Sequence, residues 1–197
     1  MGQPLRHVMT DLETLGTVPG CVGFSIGAVL MDFETGQLGE EFYTEICVED
    51  SKNAFLIEDA DTRKWWDEKP EDARAALIKA ESGTAPKLAP AMMAFNDYLL
   101  GLGGMRSIRL YGNGADFDNP ILRVMWDAAG VLPFYSKAGF FGGRCYRSLK
   151  SLEEIFGEAM AFEKLDRQGT YHNALDDAKS QAVHLMDNVR RIKELLA

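Results

Sequence analysis

Residues Val8-Met9-Thr10-Asp11-Leu12-Glu13-Thr14 run from a short apolar stretch into two carboxylates two positions apart. In an extended strand successive side chains point to opposite faces, so Asp11 and Glu13 share one face while Thr10 and Leu12 share the other. Two adjacent negative charges repel, and a fold that places them side by side at a strand end needs a counter-charge. A divalent cation supplies it economically, because hard oxygen ligands suit Mg²⁺ or Mn²⁺. The alternative is a strand end carrying two solvated acids, the ordinary situation for exposed Asp and Glu.

The remaining composition narrows the class. A chain of 197 residues, 46% hydrophobic and 26% charged, has the length and balance of one globular domain with a sizeable core, and we expect one domain over residues 1–197. No run approaches the roughly 18 apolar residues of a membrane span, and Met1-Gly2-Gln3-Pro4 lacks the basic and apolar regions of a signal peptide. Cys21, Cys47 and Cys145 are odd in number and widely spaced, which points to a cytoplasmic protein without a disulfide framework or a zinc site. The net charge of −9 is the wrong sign for wrapping long nucleic acid. It leaves room for an enzyme that engages a few nucleotides at a metal site, where cations supply the local positive charge.

Hydrophobic alternation predicts strands over 21–33 and 41–48 after the opening strand, a three-strand meander. A polar link over 49–68 carries Trp65-Trp66, and helices follow over 70–81, opened by Pro70, and 88–102. Residues 107–111 read as a strand, 118–130 as a helix, 131–143 as an aromatic, glycine-rich loop and 146–157 as helical. Leu175, Ala178, Ala182, Leu185, Val189, Ile192 and Leu196 step by three and four along a final helix over 174–196, an apolar stripe that must pack on something.

Two more acidic clusters accompany Asp11 and Glu13. Gly112-Asn113-Gly114 at a strand-to-helix junction is similar to the start of a dinucleotide fingerprint, but Phe117 replaces the third glycine and Asp116 and Asp118 stand where a pyrophosphate needs bare backbone. Acids at such a junction suit metal binding or a helix cap. In Tyr171-His172-Asn173-Ala174-Leu175-Asp176-Asp177, His172 and Asp177 lie five apart, about 140° around a helix. They therefore share a site only if His172 precedes the helix and Asn173 caps it. Asp176 then falls where an acid favours the helix start, and Asp177 is left as the acid to explain. His7 and His184 have no such acidic surroundings.

Taken together, Asp11-Leu12-Glu13-Thr14, Phe117-Asp118-Asn119-Pro120-Ile121-Leu122 and His172 with Asp177 resemble the three motifs of the DEDDh family of 3′–5′ exonucleases, of the ribonuclease H-like superfamily. Trp65-Trp66 with Ala73-Arg74, and Phe95-Asn96-Asp97-Tyr98, resemble more closely its phage-encoded Dex A-like branch, with bacterial exoribonucleases and ribonuclease T more distant. The resemblance implies a ribonuclease H-like α/β fold, an antiparallel three-strand meander joined to parallel strands and flanked by helices. It also implies two divalent cations, Mg²⁺ or Mn²⁺, roughly 3.5–4 Å apart and held by Asp11, Glu13, Asp118 and Asp177, with His172 as general base. The partner it implies is the 3′ end of single-stranded DNA or RNA, in a host cytoplasm if phage-encoded, and a homodimer is the implied assembly.

Leu12, Thr14, Phe117, Trp65, Trp66 and Tyr171 are candidate substrate contacts, the aromatics by stacking on bases. Arg144 and Arg147 are candidate phosphate contacts. Lys69 stands where the family pattern has Gln, and Cys145 where it has Asp; neither is a metal ligand. Rival readings are a nucleic-acid-binding module without chemistry, a ribonuclease H-like endonuclease and a small-molecule metallohydrolase.

Overall fold

The computed structural model describes residues 4–104, 106–131 and 142–197. Its sheet has five strands: β1 (Arg6–Thr14), β2 (Gly23–Asp32), β3 (Gln37–Glu45), β4 (Ile108–Gly112) and β5 (Gly143–Cys145), in the order β3-β2-β1-β4-β5. β1 to β3 form the antiparallel meander, and β4 and β5 join parallel to it. Helices α1 (Val48–Asn53), α2 (Ala60–Asp67), α3 (Ala75–Glu81), α4 (Leu88–Leu102), α5 (Asp118–Ala128), α6 (Tyr146–Lys150), α7 (Glu153–Phe156) and α8 (Ala174–Leu195) flank it. This is the mixed ribonuclease H-like sheet that the sequence motifs imply. Among the described residues no helix is long and apolar enough to cross a membrane.

The alternation along β1 and β2 sorts the core into two layers. Val8, Leu12, Phe24, Ile26 and Ala28 face one side, against Trp66 of α2, Leu77 of α3, Phe95 of α4 and Trp126 of α5. Met9, Val29 and Met31 face the other, against Ala178, Ala182 and Leu185 of α8. Fully burying a Leu- or Phe-sized side chain contributes about 1.5–3 kcal/mol. Both layers are therefore needed to hold the sheet between its helices. Asp11 and Glu13 continue the Met9 face of β1 and so arrive on the side that α8 covers.

The predicted final helix packs on the sheet as its stripe requires, although Leu196 falls at its exposed end, just past Leu195. Four boundaries differ from the sequence expectation. β3 runs Gln37–Glu45 rather than 41–48, because the Cys47 N–H donates to the Pro86 carbonyl and draws the chain off the sheet. The expected polar link contains α1 and α2, of six and eight residues, too short to show a helical period. Asp59 caps α2 by accepting from the Thr62 N–H, and Asp50, in the first turn of α1, accepts the Leu88 N–H at the start of α4. α3 starts at Ala75 rather than Pro70, after two successive turns. The expected helix over 146–157 divides into α6 and α7. Most of the expected loop over 131–143 lies outside the described residues.

β2 carries a glycine where its face meets α8. Gly27 pairs with Asp11 in register, and a Cβ there would lie 2.2 Å from the Ala174 carbonyl carbon and the Leu175 nitrogen. The start of α8 thus rests main chain to main chain on the sheet. Gly27→Ala should cost about 1–3 kcal/mol by overpacking, read as a lowered urea midpoint. Gly101→Ala, where a Cβ meets nothing within 4 Å in α4, should raise stability by up to about 1 kcal/mol; the same midpoint checks both.

Candidate active site

Three elements bring the acids together. β1 delivers Asp11 and Glu13, the first turn of α5 delivers Asp118, and the first turn of α8 delivers Asp177. α8 can start where it does because Asn173 accepts the N–H groups of Leu175 and Asp176 at 3.0 and 3.2 Å. His172 lies just before that cap, outside the helix, at φ 64°. Asp176 and Asp177 have separate tasks: the Asp176 carboxylate accepts the Thr170 N–H at 2.8 Å, and Asp177 lines a cleft of about 600 Å³ with Asp11, Glu13 and His172.

Donor atoms of Glu13, His172 and Asp177 lie within 4.8 Å of one another. Asp118 is buried just behind the cleft, and its neighbours Asn113 and Phe117 line it. Asp118 Oδ2 accepts the Asn113 N–H at 2.6 Å, while Oδ1 is buried with no partner among the described residues. Asp116 is exposed and lines an adjoining groove, not the cleft.

Crowding and burial set the charges. Asp11 is held well above the usual carboxylate range, first by burial and then by the charges of Asp118, Glu13 and Asp177, against the Gln181 amide that donates to its Oδ1 at 2.8 Å. Burial, with Asp177 and Asp118 nearby, pushes Glu13 up to about 8. Asp118 is raised by burial to about 6, held down by N–H groups of Asn113, its own main chain and Leu12. Burial raises Asp177 against the opposing Arg167 charge. Burial lowers His172 below its ordinary value, with Asp177 opposing. Four carboxylates that hold protons this tightly are a set in need of cations.

An aromatic wall surrounds His172. Its ring lies 3.9 Å from that of Tyr171, 5.0 Å from Trp65 and 5.5 Å from Trp66, centroid to centroid. Both tryptophans line the cleft, but they differ in burial. Trp66 is buried on Phe24, and its indole N–H donates to the Thr14 carbonyl at 2.9 Å, tying α2 to the end of β1. Trp65 is 40% exposed in the cleft, with the Lys69 ammonium 4.0 Å from its ring centroid. Lys69, the departure from the family pattern, thereby braces this wall.

Leu12 and Thr14 line the cleft, though the Thr14 hydroxyl donates to the Gly16 carbonyl. Tyr171 is exposed over the Arg167 guanidinium. Arg147 lines an adjoining groove that shares Thr17 and Phe117 with the cleft. Arg144 lies instead on another hollow, with Arg123 and Cys145. Cys145 caps α6, its Sγ accepting the Ser148 N–H at 3.3 Å. His184 is a satisfied core histidine, bonded to the Tyr146 hydroxyl and the Glu163 carbonyl at 2.6 Å each.

Sequence reasoning did not identify Arg167, Gln181 or Asn113. Gln181 was within reach of it, one turn after Asp177 on the same helix face. Arg167, from the stretch before α8, carries no local signal.

The model of the Rv2179c-like 3′–5′ exoribonuclease domain matches residues 6–188. The chain belongs to this family. It is accordingly a hydrolase, a 3′–5′ exonuclease. No curated protein matches it in sequence. Its fold is similar to the nuclease domain of 3′hExo, a DEDDh family member solved with rAMP, at 14% identity over 96% of this chain and 94% of that one (TM-score 0.62). It is also similar to a zinc-bound E. coli exonuclease I–ssDNA complex, at 14% identity over 98% of this chain and 43% of that one (TM-score 0.64). Cell-death related nuclease 4 gives 15% identity over 95% of this chain and 64% of that one (TM-score 0.62). At these identities the structures speak to fold.

Folded Glu13 and Asp118 hold protons up to about pH 8 and about pH 6, against ordinary values of 4.5 and 3.8. The folded chain then binds more protons than the unfolded one, so stability falls as pH rises through that window. His172, lowered below 6.5, works in the opposite sense, and the Arg167 charge facing Glu13 and Asp177 moderates the fall. With chelator present, thermal melting should give a lower midpoint at about pH 8 than at about pH 5. Glu13→Gln should narrow that gap.

Proposed function

We propose that the cleft shortens a single-stranded 3′ end, RNA in the family's description, with release of nucleoside 5′-monophosphates. The observation that carries this reading is the convergence of Asp11, Glu13, Asp118 and Asp177, three of them buried and all with raised pKa values, around a cleft walled by aromatics. A fold does not stabilise such a set by itself, because each carboxylate raises the cost of ionising the next. The donor set is all oxygen apart from one imidazole, and the unpartnered Asp118 Oδ1 is a free acceptor. These residues fit two hard divalent cations, Mg²⁺ or Mn²⁺. Such cations, when bound, lower the pKa of a water and stabilise charge on the leaving 3′-oxygen.

The chain's own groups do the rest. His172, neutral near pH 7 because burial lowers its pKa, takes the proton of the attacking water. Its three aromatic neighbours orient the ring, and its main-chain N–H, donating to Asp177 Oδ2 at 3.3 Å, ties its backbone to that acid. Trp65 and Phe117 offer ring faces to the terminal bases, each contact contributing about 1–3 kcal/mol. The strand continues past Phe117 into the adjoining groove, where the Arg147 guanidinium, without a hydrogen bond or ion pair among the described residues, meets its phosphates. The finer placement in the phage-linked Dex A-like branch is proposed on the Trp65-Trp66 and Phe95-Asn96-Asp97-Tyr98 motifs.

The test is digestion of matched RNA and DNA oligonucleotides, single- and double-stranded, with Mg²⁺ or Mn²⁺ and with free or blocked 3′-hydroxyls. Wild-type protein should release mononucleotides from the free single-stranded 3′ end only. Asp11→Asn and Asp177→Asn, with unchanged circular dichroism, should abolish release, and His172→Ala should slow it about 10²–10⁴-fold. Cleavage of blocked ends, or variants of the acids within tenfold of wild type, rejects the assignment.

A further inference from the structure

Arg167 is ion-paired with the acidic cluster, and the reaction as described gives it no task. Its guanidinium is ion-paired with Asp177 Oδ1 and also lowers the pKa of Glu13. Its side chain lines the cleft and is 40% exposed, so it reaches solvent as well as the acid. The Tyr171 ring lies over it, 4.6 Å from centroid to Cζ, a cation–π contact that seats the fork.

The backbone beneath is tied to α8 rather than left as a free loop. The Gln168 N–H donates to Ser180 Oγ at 3.0 Å, and the Thr170 N–H donates to Asp176 Oδ2 at 2.8 Å. Gly169 takes φ +79° against Asp176, with no room for a Cβ (2.4 Å from Asp176 Cγ). The main chain is thus anchored beside the acids while the long side chain can change partner. A guanidinium is built for a bidentate grip on either a carboxylate or a phosphate.

We propose that Arg167 is a phosphate-positioning residue that Asp177 holds in reserve. The proposal rests on the nuclease reading of the cleft. While Asp177 lacks a cation, Arg167 supplies its counter-charge. When a divalent cation takes that carboxylate, the fork is released, turns on its Tyr171 seat and hydrogen-bonds the phosphate of the terminal nucleotide. Metal and nucleotide therefore bind cooperatively: the first frees the group that the second needs.

The experiment measures equilibrium binding, independent of turnover. Mn²⁺ is titrated by electron paramagnetic resonance into wild type, Arg167→Gln and Arg167→Lys, and AMP and adenosine are titrated at saturating Mn²⁺. Melting curves in chelator confirm that each variant is folded, and Arg167→Lys serves if Arg167→Gln is not. Arg167→Gln should bind Mn²⁺ more tightly than wild type, because no cation has to be displaced. It should bind AMP roughly tenfold more weakly and adenosine, which has no phosphate, unchanged. Arg167→Lys, which keeps the charge without the fork, should also lose AMP affinity. Unaltered Mn²⁺ affinity in Arg167→Gln overturns the reserve, and unaltered AMP affinity overturns the phosphate contact; either result rejects the proposal. Wild-type protein that binds Mn²⁺ and AMP yet hydrolyses no oligonucleotide rejects the nuclease reading instead.

Discussion

Mutual repulsion among four carboxylates is the constraint that the rest of this structure serves. Asp11, Glu13, Asp118 and Asp177 come from three elements, and each makes its neighbours harder to ionise. Nothing about packing favours such a meeting. The two apolar layers, α8 over the sheet on one side and α2 to α5 on the other, provide the free energy that keeps these acids together. Small polar devices then trim the cost: Gln181 on Asp11, the Asn113 N–H on Asp118, Arg167 on Asp177.

That division explains the character of the cleft. Its floor is rigid because it is made from a strand and helix starts whose backbone groups are satisfied, by Asn173 at α8 and by the ladder at β1. One wall is rigid because Trp66 is buried and bonded to the Thr14 carbonyl. The groups proposed to meet a substrate include Trp65 and Arg147, which keep exposed faces. Acidic charge gathers where cations are wanted, and the basic groups Arg147 and Arg167 stand beside it, so a chain of net charge −9 still has a route for a polyanion.

Much of this was legible in the sequence, and for identifiable reasons. The D-x-E spacing on an alternating strand placed Asp11 and Glu13 on one face, and Asn173 as a cap separated His172 from the helix carrying Asp177. Long elements such as α4 and α8 announced themselves through period. What was hidden was either short or non-local. α1 and α2 are too brief to repeat, and the break between α6 and α7 at residues 151–152 has no glycine or proline to mark it. Which of Trp65 and Trp66 is buried depends on helix phase, which a polar stretch does not reveal. The contact of Arg167 with Asp177 spans a loop whose shape depends on Asp176 and Ser180.

Gly27 gives the arrangement a further property. Where β2 and α8 touch through their main chains, α8 is seated beside Asp11, the β1 residue paired with Gly27, at a height gauged by peptide atoms, not by the sizes of intervening side chains. Core residues elsewhere can drift in volume over evolutionary time without rescaling that height. The seat of α8 beside Asp11 is mechanically insulated from volume changes that the surrounding layers absorb.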